Sequence, residues 1–266
     1  MRFIAPARAQ LDPAVLARPP LSLWSEHAQW LQSPQFPAID ELNAGWDAGW
    51  RFVEQTPQLL ADGLHYESRI HARGEIATRA ENWHDFFNAL VWRRFPAIKQ
   101  ALNARQVAEI ARMGDKQRSR AQCALTHFDE GGVIVVLRDA ALLALWDAHD
   151  WHGLFWRSRQ AWLDGRIGAQ VFGHALLEMA LAPGKLITGK ALAVFDPAGG
   201  GDAAAAVAAA IAAGAALNDP QELRALPISG VAGWHAATAD ETFYRDGECF
   251  RPLRSGRVYP PPLRIG

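Results

Sequence analysis

An α+β fold, predominantly helical with a small antiparallel hairpin or sheet and organised as a single domain, is what this sequence predicts. Three observations carry that expectation. Helical apolar periodicity recurs through most of the chain, a β-rich run around a glycine pair interrupts it near the middle, and no internal repeat or long linker divides it. With 266 residues, 50% hydrophobic and 21% charged, the chain is long enough and apolar enough to bury a large core.

Residues 1–63 are punctuated by Pro6, Pro13, Pro19, Pro20, Pro34, Pro37 and Pro57 between short helical patterns such as SLWSEHAQWLQ. That pattern predicts an irregular N-terminal wrap with short helices, ahead of a main α+β domain over residues 64–266. LHYESRIHARGEIAT (64–78) reads as a strand, a turn at Gly74 and a short return. NWHDFFNALVWRRFP (82–96) reads as a helix: Asn82 is the cap, Trp83, Phe86, Phe87, Leu90 and Val91 share one apolar face, and Pro96 ends it. KQALNARQVAEIARM continues as a second helix, followed by the basic turn GDKQRSR (114–120). QCALTHFDEGGVIVVL (122–137) places two β-rich runs around Asp129, Glu130, Gly131 and Gly132, the composition of a hairpin turn. Helices are expected at about 139–163 and 167–181 and in the alanine run 203–217, before a proline- and glycine-spaced tail.

Composition narrows the function classes. A formal net charge of −1 and a pI near 6.8 give no global field, so neither nucleic acid nor an anionic membrane is an expected partner. Two cysteines, Cys123 and Cys249, supply no disulfide framework and lack zinc-site spacing; Cys123, read on a strand, is expected to be an inert buried thiol. The N-terminus has no signal-peptide core and the alanine run is too short to span a bilayer, so a cytoplasmic protein is expected. No P-loop, GxSxG or GxGxxG pattern is present, which disfavours nucleotide hydrolysis of the P-loop type, the α/β-hydrolase chemistry and dinucleotide binding.

The chemistry-bearing candidates stand in apolar surroundings. In FGHALLEMALAPG (172–184) a histidine and a glutamate sit four residues apart; read within a helix over 167–181, His174 and Glu178 share a stripe with Ile167, Val171 and Leu181. The helix is apolar nearly all round, so both groups must be paired, hydrogen-bonded or metal-bound. An imidazole and a carboxylate at that spacing can hold a divalent metal ion, but two ligands leave a site incomplete. In HDFFN, Asp85, Asn88 and Trp92 lie off the main apolar face with His84 at its edge, which points to a covered cleft. In HFDEGG, Asp129 or Glu130 can supply the missing oxygen ligand or act as a base, or simply belong to a turn. Arg118 and Arg120, with Lys116 in the same turn and Arg79 and Lys99 elsewhere, are candidates to hold an anionic group.

Several blocks together resemble a known bacterial family. TRAENWHDFFNALVWRRFPAIKQALN (78–103), ALTHFDEGGVIVV (124–136), FGHALLE (172–178), LPISGVAGW and FYRDGECFRP are similar to the family known as domain of unknown function 3025, over most of the chain from about residue 64 onward. The resemblance implies a bacterial, single-domain protein and carries no established activity.

Two functions are expected on these grounds. The first is a metal-assisted hydrolase of an anionic small molecule or phosphoester, with His174, Glu178 and one acid of the 129–130 pair on the metal, Asp85, Asp129 or Glu130 as the catalytic carboxylate, and Arg79, His84, Asn88, Arg118 and Arg120 on the substrate. The alternative is a noncatalytic binding or scaffold protein with a buried polar network.

Overall fold

The computed structural model describes residues 3–114, 117–245 and 248–265. Its N-terminal third holds three one-turn helices, α1 (Ala28–Leu31), α2 (Ile39–Asn43) and α3 (Pro57–Leu60), and the strand β1 (Arg51–Glu54). Then come α4 (Tyr66–Arg73), β2 (Glu75–Thr78), α5 (Trp83–Arg94), α6 (Pro96–Met113) and α7 (Arg120–Gly131). The second half runs β3 (Gly132–Leu137), α8 (Ala140–Asp147), a π-helical turn (His152–Arg157), α9 (Arg159–Leu163), β4 (Ile167–Val171), α10 (His174–Met179), β5 (Thr188–Phe195), α11 (Ala203–Ala212), β6 (Arg224–Pro227) and β7 (Leu263–Arg264).

The strands form two sheets. β1 and β2 pair in parallel, joining the first 63 residues to the remainder of the chain. The larger sheet has the order β4-β3-β5-β6, with β7 also on β5; it is mixed, since β3 runs antiparallel to β4 but parallel to β5. This is an α+β fold. Val133, Ile134, Val135 and Leu137 of β3 are fully buried, because helices and the neighbouring strands cover both faces.

α5 is the helix around which the N-terminal half is built. Asn82 caps it, its side chain accepting from the Asp85 N–H at 3.1 Å, and Trp83, Phe86, Phe87, Ala89, Leu90, Val91 and Trp92 are all buried. The N-terminal segment clamps it: the Trp83 indole donates to the Pro6 carbonyl at 2.9 Å, and the Arg8 guanidinium lies over the Phe36, Trp83 and Phe86 rings. Pro96 opens α6 at its first position, where a missing N–H is harmless.

Three local expectations are corrected. Residues 66–73 are a helix, not a strand: the His65 imidazole caps it, and Gly74, at φ 64°, ends it as a left-handed C-terminal residue and not as a hairpin turn. Residues 120–131 are also a helix, so there is no hairpin at Asp129–Gly132 and Cys123 stands on α7, partly exposed. Its start is a capping box, with Ser119 Oγ accepting from Gln122 N (3.0 Å) and Gln122 Oε1 from Ser119 N (2.8 Å). The expected helix over 167–181 divides into β4 and α10. Pairing of Ile167–Val171 with β3 overrides local helical character, and Gly173 separates the two elements.

Candidate functional site

The site is assembled at two chain junctions that touch. Gly132, where α7 passes directly into β3, offers its carbonyl to the N–H groups of Phe172 (3.0 Å) and Gly173 (2.8 Å), where β4 passes into α10. A β-carbon on Gly173 would lie 2.3 Å from Gly132 N and 2.6 Å from Glu130 O, so only a residue without a side chain allows this approach. Glu130, near the end of α7, and His174, the first residue of α10, thereby become neighbours. α5 packs against α10, which also packs against α7, and contributes His84 from its first turn.

Three ligand-type atoms converge. His84 Nε2 and His174 Nε2 are 3.0 Å apart, and Glu130 Oε2 is 3.7 Å from the first and 3.6 Å from the second. The point equidistant from these atoms lies about 2.0 Å from each, the length of a zinc–nitrogen or zinc–oxygen bond. The mean edge of the triangle, about 3.4 Å, is that of one face of a tetrahedron around an ion at roughly 2.1 Å, which leaves the fourth position open. Behind His84, Glu178 Oε2 meets Nδ1 at 3.1 Å. A carboxylate there fixes the tautomer with the proton on Nδ1 and leaves the Nε2 lone pair facing the triangle.

Burial and charge are consistent with that donor set. His174 is 3% exposed, and its Nδ1 has no hydrogen-bond partner among the described residues. Orphaned buried polar atoms are rare in native proteins; an ion on His174 Nε2 leaves this one unmet, because the triangle uses the other ring nitrogen. The hydrogen bond to Glu178 raises the His84 pKa against the effect of burial, with Glu130 acting in the same direction. Burial pushes Glu130 up, but its contact with His174 and the nearby His84 and Lys99 charges outweigh it and hold the carboxyl at about 2. Glu130 is therefore an anion at any physiological pH.

A cleft of about 360 Å³ opens beside the triangle, between α4, α5, α6 and α7. Asn88, one turn after His84, donates to the Tyr66 hydroxyl (2.9 Å) and accepts from Lys99 Nζ (2.8 Å), which also holds Asp129 at 2.6 Å. Burial raises Tyr66 well above its ordinary pKa, so the phenol keeps its proton and can donate it into the cleft. Burial likewise pushes up Glu67, which accepts from Asn103 at 2.6 Å. Asp85 is engaged elsewhere: it accepts from the Arg79 side chain at 2.8 and 2.9 Å and from the Arg79 backbone at 2.7 Å, tying the end of β2 to the start of α5.

Of the residues singled out in the sequence, His84, Glu130 and His174 form the triangle, and Glu178 reaches it through His84. Asn88, Asp129, Arg79, Asp85 and Arg118 line the cleft. Arg118 has no side-chain partner among the described residues. Arg120 does not reach the cleft; it pairs with Asp219. Lys116 lies outside the described residues. Sequence reasoning missed Tyr66 and Glu67, and Lys99 except as a basic neighbour. Glu67 could have been found from the helix start at His65, but the contact of Lys99 with Asp129, 30 residues away, leaves no local trace.

A family model described as a protein of unknown function, DUF3025, matches residues 50–254. No curated protein and no solved structure matches the chain. The matched span runs from just before β1 to the C-terminal coil and takes in the whole triangle and its cleft. The chain therefore belongs to the DUF3025 family.

Proposed function

We propose that the protein is a metal-dependent hydrolase of a small anionic substrate, with His84, His174 and Glu130 as the ligands of one divalent ion. The observation that carries this reading is the triangle itself, whose 3.0, 3.6 and 3.7 Å edges suit a single ion with one coordination position open. Two imidazoles and one carboxylate are a common donor set for catalytic zinc, and a divalent ion held there supplies Lewis acidity to the cleft. The protein's own groups do the rest. Glu178 holds the proton on His84 Nδ1, Arg118 binds the anionic group, and the Tyr66 hydroxyl and the Lys99 ammonium stand ready to hydrogen-bond substrate oxygens. Asp129, with only one oxygen engaged by Lys99, is the carboxylate available to take up a proton.

The rival reading, a noncatalytic binding protein with a self-contained polar network, is favoured by one observation. Arg79 and Lys99 are each already neutralised by an acid, Asp85 and Asp129. Activity separates the two. With zinc or manganese added, the purified protein is expected to hydrolyse p-nitrophenyl phosphate or another member of a small panel of phosphate and carboxylate esters, and folded His174→Ala is expected to lose that activity. Wild type carrying a full complement of metal yet inert across the panel would favour the binding protein.

A further inference from the structure

A second cleft, which shares no lining residue with the first, lies over β5 and β6. Its volume, about 600 Å³, exceeds that of the first cleft. Its floor is the outer face of β5 and β6, where Thr188 and Lys190 stand opposite Pro227 and Ala225 in the strand register. Its walls are the segment after α8 and the C-terminal coil, which brings Arg251, Arg254, Arg257 and Tyr259 over the sheet.

The charge lining this cleft is one-sided. Four cations, Lys190, Arg251, Arg254 and Arg257, face one acid, Glu248, among the described residues, in a chain whose formal net charge is −1. Elsewhere the cationic side chains are mostly matched: Arg224 by Asp147, Arg120 by Asp219, Arg69 by Glu75. Lys190 and Arg254 have no side-chain partner among the described residues, and Arg251 donates only to a backbone carbonyl, that of Glu248, at 3.3 Å.

The walls are also fixed in advance of any ligand. The Tyr259 ring is flanked by the guanidinium groups of Arg257 (4.7 Å) and buried Arg224 (5.0 Å), and Arg257 is anchored further on the carbonyls of Gln221 and Leu223. The Tyr259 hydroxyl meets His149 Nε2 at 3.0 Å, while His149 Nδ1 meets the Arg251 carbonyl at 3.2 Å. His149 occupies a left-handed position, φ 54°, just past the end of α8, where glycine is the usual residue. Both ring nitrogens of His149 hold the coil over the sheet.

We propose that this cleft binds a phosphate-bearing small molecule, with Lys190, Arg254 and Arg257 meeting the phosphate oxygens. Phosphate suits the lining better than a monocarboxylate. Each group carries up to two negative charges, and the planar guanidinium fork matches two of its oxygens at once. A concave site of this volume encloses a small molecule and does not track an extended polymer.

Calorimetric titration of inorganic pyrophosphate into metal-free protein tests this. Saturable binding of one pyrophosphate per chain is expected, weakened at least about tenfold in K190E/R254E and unchanged in H84A/E130A. Both Lys190 and Arg254 are exposed, so the double variant is expected to fold, checked by circular dichroism; should it not, Arg254→Ala alone carries the same expectation. Absence of saturable binding, equal affinity in K190E/R254E, or loss of binding in H84A/E130A would overturn the proposal. Citrate binding as tightly as pyrophosphate would overturn the assignment to phosphate.

Discussion

Glu178→Gln removes one charge and leaves the shape of the site intact, which makes it the sharpest probe of the arrangement behind His84. The glutamine oxygen can still accept from His84 Nδ1 at the 3.1 Å seen for Glu178, so the ring stays oriented and the tautomer is retained. What disappears is the negative charge that makes Nε2 a stronger donor. The two side chains are 31% and 21% exposed, so water screens the pair only in part. Carboxylates in this position behind a metal-bound imidazole are worth about 10–100-fold in metal affinity, or roughly 1.4–2.8 kcal/mol. Zinc affinity measured by competition with a chromophoric chelator at about pH 7.5 is therefore expected to fall by that factor in Glu178→Gln. The His84 pKa, followed by NMR in metal-free protein, is expected to drop, because the Glu178 charge is withdrawn and an amide oxygen accepts more weakly than a carboxylate. Unchanged zinc affinity with an unchanged His84 titration would refute the reasoning.

Other perturbations have equally definite outcomes. Metal-free protein is expected to lose thermal stability as pH rises through the raised His84 pKa, because the pairing of protonated His84 with Glu178 and Glu130 is complete only below the ordinary value of 6.5. Added zinc is expected to reverse that slope, since the ion displaces the proton from Nε2; thermal melts with the same slope in both states would contradict this. Glu130, held at about 2, contributes stability that is present above its ordinary 4.5 and is lost as pH falls toward 2, so Glu130→Gln is expected to flatten the acid side of the curve. Gly173→Ala is expected to cost about 1–3 kcal/mol and to abolish metal binding, because its β-carbon would meet Gly132 N at 2.3 Å and push His174 from Glu130; retained binding would contradict the junction argument. Lys99→Ala leaves Asp129 without its buried partner and is expected to lower stability in urea by about 3 kcal/mol, with K99M/D129N recovering most of the loss; under about 1 kcal/mol in the single variant would contradict the pairing.

Elements with strong local signals were legible in the sequence. α5 announced itself through its cap and its apolar face, and the alanine run contains α11, whereas β1, β5, β6 and β7 were not anticipated. What failed had a common physical origin. A strand is defined by its partner, and Ile167–Val171 pairs with residues 30 to 38 positions earlier, so the stretch read as the front of a helix. The acids Asp129 and Glu130 were noticed beside the right glycines, but a helix running straight into a strand has the same composition as a hairpin turn. The Ser119–Gln122 capping box was the available local signal that a helix begins there.

The site was legible as a residue set and not as a geometry. His174 and Glu178 stood out because a polar pair in an apolar helix needs partners, and His84 because it sits at a covered face. Their roles depended on contacts across 44 to 94 positions: Glu178 sits behind His84, and Glu130 completes the triangle. Lys99 and Tyr66 are ordinary residues of their helices until tertiary packing sets them against Asn88 and Asp129.

Elemental analysis of protein purified without an affinity tag or chelator, wild type beside His174→Ala, tests the central claim most directly. Close to one divalent ion per chain in wild type, and none in a His174→Ala variant with native circular dichroism, is the result expected. Wild type free of metal, with a melting temperature unmoved by added zinc, manganese or cobalt, would contradict the assignment of His84, Glu130 and His174 as metal ligands.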